Sequence, residues 1–346
     1  MGNRNAIGLC AVFGQRRWNL SGLYLRDALL NLNKSIFAGV REGCLIITVF
    51  CIMTIIFFAL RLLPGDPAEV LLGDYATPEL IKLTKAKWGL DKPLWNQYSM
   101  FIGNIIQGDL DNSLRFRSPV SELLFRHYPF TLRLMFLGTF ICLVIALPTG
   151  IIAAVRQNSY IDIFVMVSSF MFISMPPFFV GLLLLYIFSF QLGWFPAMGG
   201  EKGGDFLNYF SYLALPSFCM GLRYAGMISR MVRSSMIDIL SKEYILVARS
   251  KGLSENVIRL RHALRNALAP IVSFIGVALA IAVAGAVVLE VVFSRPGIGR
   301  LFVGAVASRD YPLVQGCILV ICTGVVIINI LVDISYRIID PRVQSY

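Results

Sequence analysis

The chain has 346 residues, 57% of them apolar and only 15% charged, with a mean hydropathy of +0.73. Soluble domains are about 45–50% apolar, so this balance excludes an ordinary soluble domain, and several runs reach the roughly 20 apolar residues that cross a bilayer. The formal net charge of +11 does not call for nucleic acid, because its Lys and Arg residues lie beside apolar spans, where the cytoplasmic loops of membrane proteins concentrate them.

The first forty residues form no span. Ala6–Phe13 is apolar but short, and no signal-peptide core with a small-residue cleavage site is evident. Leu25, Leu29, Leu32 and Ile36 recur at helical spacing among Arg26, Asn33 and Lys34. That pattern fits an interfacial amphipathic helix and equally a plain cytoplasmic extension over 1–42. Six spans are expected near Cys44–Leu60, Thr131–Val155, Ile163–Phe190, Tyr212–Met231, Ile271–Phe293 and Val314–Ile334. Basic residues crowd the segment before the first span, the 232–269 loop and the tail. Positive-inside bias therefore predicts cytoplasmic termini and a cytoplasmic 232–269 loop. The 61–130 loop, the Gly-rich turn near Gly199–Gly204 and Ser294–Tyr311 fall outside. Arg295, Arg300 and Arg309 run against the bias but are outnumbered.

After the first span, Pro64-Gly65-Asp66-Pro67 reads as a turn. Helix-like stretches around Pro78–Trp88 and Leu94–Ile106 suggest a small external cap. In the third span, Ser174-Met175-Pro176-Pro177 predicts a local break, read as a hinge in a solute path or as a packing kink. Arg223 in the fourth span and Glu290 near the outer end of the fifth are expensive in a bilayer and face protein or water. Met175, Pro176, Pro177, Arg223 and Glu290 are thus the candidate lining of a translocation path.

The 232–269 loop has helix punctuation at both ends. Ser241 is placed to cap a first helix with Glu243 in its first turn, and Gly252 follows Arg249 and Lys251 where a left-handed residue ends a helix. Ser254 is placed to cap a second helix carrying Arg259, Arg261, His262 and Arg265, and Pro270 is expected to break the chain before the fifth span. A solvated basic loop accounts for the charges; a docking surface also accounts for paired caps around a glycine.

Other chemistry has little support. The chain has no GxxxxGK[ST] sequence, and so no P-loop. Seven cysteines form no CxxC pair and two histidines make no metal cluster. An embedded enzyme would need a nucleophile–base pair or metal ligands within its spans, and no histidine lies in one. A stand-alone secondary transporter or channel is the alternative reading; it predicts intramembrane charge networks or repeated broken helices, and neither is clear in the sequence.

Several stretches together resemble one family. Glu243, Tyr244, Ala248, Arg249, Lys251, Gly252, Leu253, His262, Arg265, Asn266 and Pro270 resemble the loop by which permeases of ABC importers grip their ATPase subunits. Leu62-Leu63-Pro64-Gly65-Asp66-Pro67, Gly89-Leu90-Asp91-Lys92-Pro93, Gln97-Tyr98, Gly108-Asp109-Leu110 with Ser113, and Leu192-Gly193-Trp194-Phe195-Pro196 follow the same pattern. So do Glu290 to Leu301, Arg309-Asp310-Tyr311-Pro312 and Asp340-Pro341-Arg342. In order, these motifs resemble a B-type permease subunit of the dipeptide/oligopeptide/nickel ABC importer family.

The resemblance implies an all-α polytopic membrane protein of six transmembrane helices, with an importer-permease core over 43–346 and cytoplasmic coupling helices. It implies a bacterial inner-membrane location and a homologous second permease. Two ATPase subunits would carry ATP and Mg, and an external solute-binding protein would deliver a peptide-like solute. The chain itself would hold no cofactor and no catalytic site. Three positions depart from the pattern: Leu246-Val247-Ala248 stands where the broader importer signature has Glu-Ala-Ala, Asp111 replaces a glycine, and Arg295 replaces a tryptophan. The last two are expected on the outer surface, tuning contact with the binding protein.

Overall fold

The computed structural model describes residue 43 and residues 47–62, 65–199 and 206–339, with side chains at 206–209 and 336–339 outside that description. The expected N-terminal extension, Leu63-Pro64, the Gly200–Gly204 turn and the Asp340-Pro341-Arg342 motif lie outside the described residues. The chain divides into two compact units. Of the first, Met1–Ile52 with Arg342–Tyr346, only helical residue 43 and residues 47–52 are described. The second, Met53–Pro341, carries the remaining described residues.

Every named element among the described residues is helical. Helix α1 (Ile47–Leu62) leads into a cap of α2 (Pro67–Leu72), α3 (Pro78–Trp88) and α4 (Leu94–Gln107). Then come α5 (Val120–Val155), α6 (Tyr160–Ser174), α7 (Pro177–Leu184), α8 (Phe206–Leu240) and α9 (Glu243–Ser250). Short α10 (Glu255–Val257) runs into α11 (Arg265–Val292), followed by α12 (Ile298–Ala307) and α13 (Tyr311–Ile339).

Three helical stretches, Val120–Val155, Glu255–Val292 and Tyr311–Ser335, are long and apolar enough to cross a membrane, or five spans if each bent pair counts as one. The expected third span is one such pair: α6 and the Pro177–Gln191 helix meet at 105°. The local break read from Met175-Pro176-Pro177 is thus a sharp corner. Prolines forbid the donor that would continue the helix and push the preceding residue to extended backbone; Met175 sits at φ −73°, ψ 133°.

The fourth expected span lies inside α8, which is 35 residues long but not among the stretches apolar enough to cross alone. Ser217, Ser229 and Ser235 are buried against neighbouring helices, while Arg230, Ser234 and Asp238 are exposed. Tyr224, Ala225, Ile228, Val232 and Met236 of α8 are buried in the main core with residues of α5, α7 and α11. The α5–α8 contact is close because small residues recur every fourth position on both helices. Gly138, Cys142, Ala146 and Gly150 are buried on α5; Gly221, Ala225 and Ser229 are buried on α8. A Cβ added at Gly150 would stand 2.7 Å from the Ser229 carbonyl oxygen. This small-residue approach suits helices in lipid, where packing rather than hydrophobic expulsion drives association.

The motifs that follow the first span build the cap. Asp66 accepts from the Ala68 N–H (3.0 Å), with Pro67 in the first turn of α2, and pairs with Lys85 of α3. Gly89 and Gly108 end α3 and α4 in left-handed conformations. Gln97 accepts from Arg61 Nε (2.8 Å) and donates to the Leu90 and Lys92 carbonyls. Tyr98 stacks on Phe58, and its hydroxyl lies 2.9 Å from Thr54 Oγ1. The expected helices at Pro78–Trp88 and Leu94–Ile106 are present as α3 and α4.

Candidate functional site

The loop between α8 and α11 is a short hairpin of helices. Helix α9 starts one residue later than the sequence indicates. Lys242 holds the extended cap position, and Ser241 donates instead to the Asp238 carbonyl (3.0 Å). Ser254 does occupy the cap of α10, without a side-chain bond to the backbone. Glu243 and Glu255 lie in first turns, as expected for the positive end of a helix.

Gly252 has φ +76°; its N–H donates to Arg249 O (2.9 Å), and Leu253 N–H reaches back to Ala248 O (3.4 Å). This pair of bonds is the Schellman closure of a helix end. Side chains then lock the two arms. Ile245 and Ala248 of α9 pack on Ile258, all buried. Arg249 binds Glu255 across the turn (Nε to Oε1 2.9 Å). Asn266 Nδ2 donates to Tyr244 Oη (3.1 Å) and to the His262 carbonyl (2.8 Å). Ala248 therefore serves the hairpin's interior. Tyr244, Leu246, Val247, Leu253 and Leu260 are exposed beside exposed Lys251, Arg261 and Arg265. A rigid hairpin with an apolar and basic face has the composition of a protein contact surface.

Pro270 does not break the chain here. Glu255–Val292 runs as one helix of 38 residues, widened to π geometry over Ile258–Leu264. Proline in a helix interior costs about 3 kcal/mol; Ala267 and Ile271, both fully buried, hold the helix through it. The helix is about 57 Å long at 1.5 Å per residue, against roughly 30 Å of hydrocarbon. The hairpin is thus rigidly continuous with a span.

The candidate path residues have structural partners. Arg223 Nη1 donates to the carbonyls of Ile173 (3.1 Å) and Met175 (3.0 Å). It thereby satisfies acceptors left open where Pro176 and Pro177 end α6. Glu290 is 1% exposed. It accepts from Thr131 Oγ1 (2.5 Å) and the N–H groups of Gly299 (2.7 Å) and Arg300 (3.3 Å). Its carboxylate caps α12 inside the subunit. Arg295, expected on the outer surface, is 2% exposed and donates to the Tyr212 carbonyl (2.8 Å); burial under α8 replaces the expected surface contact.

Two constellations escape a reading by spacing. Asp162 and Arg233 form a bidentate pair (2.5 and 2.6 Å) tying the start of α6 to α8. Asp310, fully buried, accepts from Leu114 N (3.1 Å), Arg115 N (3.1 Å), Leu313 N (3.3 Å) and the Ser113 hydroxyl. The Gly-Asp-Leu…Ser and Arg-Asp-Tyr-Pro motifs were the only available signal for the second; they meet here.

Comparison with known proteins places this architecture. The family described as "Binding-protein-dependent transport system inner membrane component" matches residues 146–345, and "Binding-prot-dependent transport system membrane comp, N-term" matches 37–135. The chain is 37% identical over 300 residues to the glutathione transport system permease protein GsiC of Escherichia coli O6:H1, covering 87% of this chain and 96% of that one. It is 41% identical over 296 residues to a putative peptide permease protein of Brucella suis biovar 1, covering 84% and 93%. It is 38% identical over 335 residues to the di/tripeptide transport system permease protein DppB of Pseudomonas aeruginosa, covering 89% and 98%. Inward-facing structures of the MetNI methionine ABC transporter share the fold at TM-scores of 0.50 and 0.51 and 20% identity, covering 64% and 63% of this chain and 97% and 96% of theirs. The chain belongs to the family of binding-protein-dependent transport system inner membrane components, the permease subunits of ABC importers.

Proposed function

We propose that this permease imports di- or oligopeptides. It forms half of the translocation path beside a homologous second permease, with residues 43–346 as the permease domain and 1–42 as a cytoplasmic extension. The cargo reading rests on the three relatives, whose names specify glutathione, peptides and di/tripeptides. The 232–269 loop grips an ATPase subunit; a second ATPase serves the other permease, and both hold the ATP and Mg that this chain does not bind. A solute-binding protein docks outside, over the 61–130 loop, and lipid surrounds the spans. The corner at Met175, Pro176 and Pro177, braced by Arg223, flanks the path, and Glu290 supports its outer end from within.

The observation that carries this reading is the hairpin. It offers exposed apolar and basic residues, is closed at Gly252, and is welded to a span through continuous helix. Movement of a docked ATPase has a stiff lever into the membrane. Topology tests it directly. Cysteines introduced at Lys92 and Lys251 in a cysteine-free background are probed with an impermeant thiol reagent in cells with a permeabilised outer membrane. Labelling is expected at position 92 and not at 251. The reverse pattern would put the hairpin on the wrong side for an ATPase.

A further inference from the structure

A cavity of about 1160 Å³ lies between the cap, the end of α12 and the start of α13. It exceeds the roughly 300–1,000 Å³ of sites that take drug-sized ligands, so a peptide of a few residues fits. Its charge is one-sided. Arg61, Lys87, Lys92, Arg115 and Arg117 line it against a single carboxylate, Asp111. Arg61 is engaged by Gln97 and the Phe57 carbonyl, and Asp111 by the Asn104 amide. Lys87, Arg115 and Arg117 are exposed and have no carboxylate partner among the described residues.

The loop that presents the two arginines is closed by backbone hydrogen bonds and has one strained position, Arg117. Asp111 and Arg117 both lie at positive φ (+59° and +54°), a conformation that Asp tolerates and that Arg rarely adopts. Two backbone bonds close the turn: Arg117 N–H to Ser113 O (2.9 Å) and Val120 N–H to Asp111 O (3.0 Å). From behind, buried Asp310 accepts the N–H groups of Leu114 and Arg115. Strain held by surrounding structure is a mark of a preorganised site. Their guanidinium groups, carried on a hydrogen-bonded backbone, suit carboxylates, which arginine binds in bidentate pairs.

We propose that this cleft is an anion site that binds carboxylate-bearing peptides of a few residues on the outer side of the permease. Arg115 and Arg117 take the carboxylates and Lys87 supplies further positive field. Concavity favours a small ligand over the flat contact of a protein partner. The proposal deepens the peptide-import reading and rests on it for the class of cargo.

The test uses the assembled importer in lipid nanodiscs without its binding protein, titrated with Gly-Gly-Glu and with Gly-Gly-Gln-amide, which has the same α-amino group and no carboxylate. The acidic peptide is expected to bind at least tenfold more tightly and to weaken as salt is raised. Combined Arg115→Gln and Arg117→Asn should abolish that tenfold preference; Asn suits the left-handed backbone at 117, so folding is preserved. Lys82→Gln, an exposed change on α3 away from the cleft, should leave it intact. Equal affinity for the two peptides, absence of binding, or an undiminished preference in the double variant would overturn the proposal. So would a double variant that loses only capture of the binding protein, which would make the cleft a protein-docking surface. ATP-driven uptake of both peptides is followed in parallel in proteoliposomes supplied with the binding protein. Normal uptake without cleft binding removes this proposal alone. Failure of the native importer to take up any peptide removes the import reading, while the titration still decides the cleft.

Discussion

Gly252→Val is expected to lower ATP-driven uptake tenfold or more while leaving the protein in the membrane at normal abundance. A Cβ at this position meets no atom within 4 Å, so the effect is not a clash. It comes from the backbone, held at φ +76°. A left-handed conformation costs an L-residue about 1–2 kcal/mol, and a β-branched one more; every 1.4 kcal/mol is tenfold in an equilibrium. The hairpin relieves this by opening, which breaks the Gly252-to-Arg249 and Leu253-to-Ala248 bonds and misaims α9 relative to α10. The spans pack elsewhere, so insertion survives. The cause makes the series graded: Gly252→Asn should be nearly neutral because Asn tolerates this backbone, and Gly252→Ala should be intermediate. Lys242→Ala, an exposed charge at the hairpin's edge, should change little. Uptake, ATPase co-purification and membrane abundance are measured for all four. Normal uptake by Gly252→Val at normal abundance would refute the claim that this turn aligns the lever.

Asp310→Ala is expected to act on stability. The side chain joins the start of α13 to the loop at Ser113–Arg115 through two N–H groups and one hydroxyl, and accepts the Leu313 N–H of its own helix. Each buried donor left without a partner costs about 1–3 kcal/mol, so the loss is about 3 kcal/mol or more. Membrane abundance should fall severalfold, and trypsin added from outside should cut at Arg115 or Arg117 far faster than in the native protein. Asp310→Asn keeps an acceptor but presents an amide N–H to the donors on the other side, and should fall between. Unchanged abundance and unchanged cleavage in the alanine variant would show that the external loop is held by other means.

Much of the fold was legible in the sequence because its signals are local. Positive φ at Gly252 follows from a glycine behind a basic helix end, and α3 and α4 follow from the helix-like stretches around Pro78–Trp88 and Leu94–Ile106. The corner at Pro176-Pro177 was legible for the same reason, though its sharpness was not. Misreadings came where a distant partner decides. Ser241 looks like a cap, but its hydroxyl turns back to Asp238. Pro270 looks like a break, but buried neighbours carry the helix past it. Arg295 looks like a surface charge and is buried, donating to the Tyr212 carbonyl 83 residues away. Arg223 and Glu290 are conspicuous because they are ionisable in a span; that one braces the broken end of α6 and the other caps α12 needs the packed chain. The fourth span was legible at Tyr212–Met231, but its central place was not: Tyr224, Ala225, Ile228, Val232 and Met236 are buried in the main core by residues distant in sequence.

On the import reading, this chain supplies path and lever while the force arises in its ATPase partners. The decisive preparation is proteoliposomes containing this permease, its homologous partner, the two ATPases and the binding protein. Peptide uptake should follow ATP hydrolysis and stop when hydrolysis is blocked, and this polypeptide purified alone should hydrolyse no ATP. Hydrolysis by the isolated chain, or uptake that persists without hydrolysis, would contradict that division of labour.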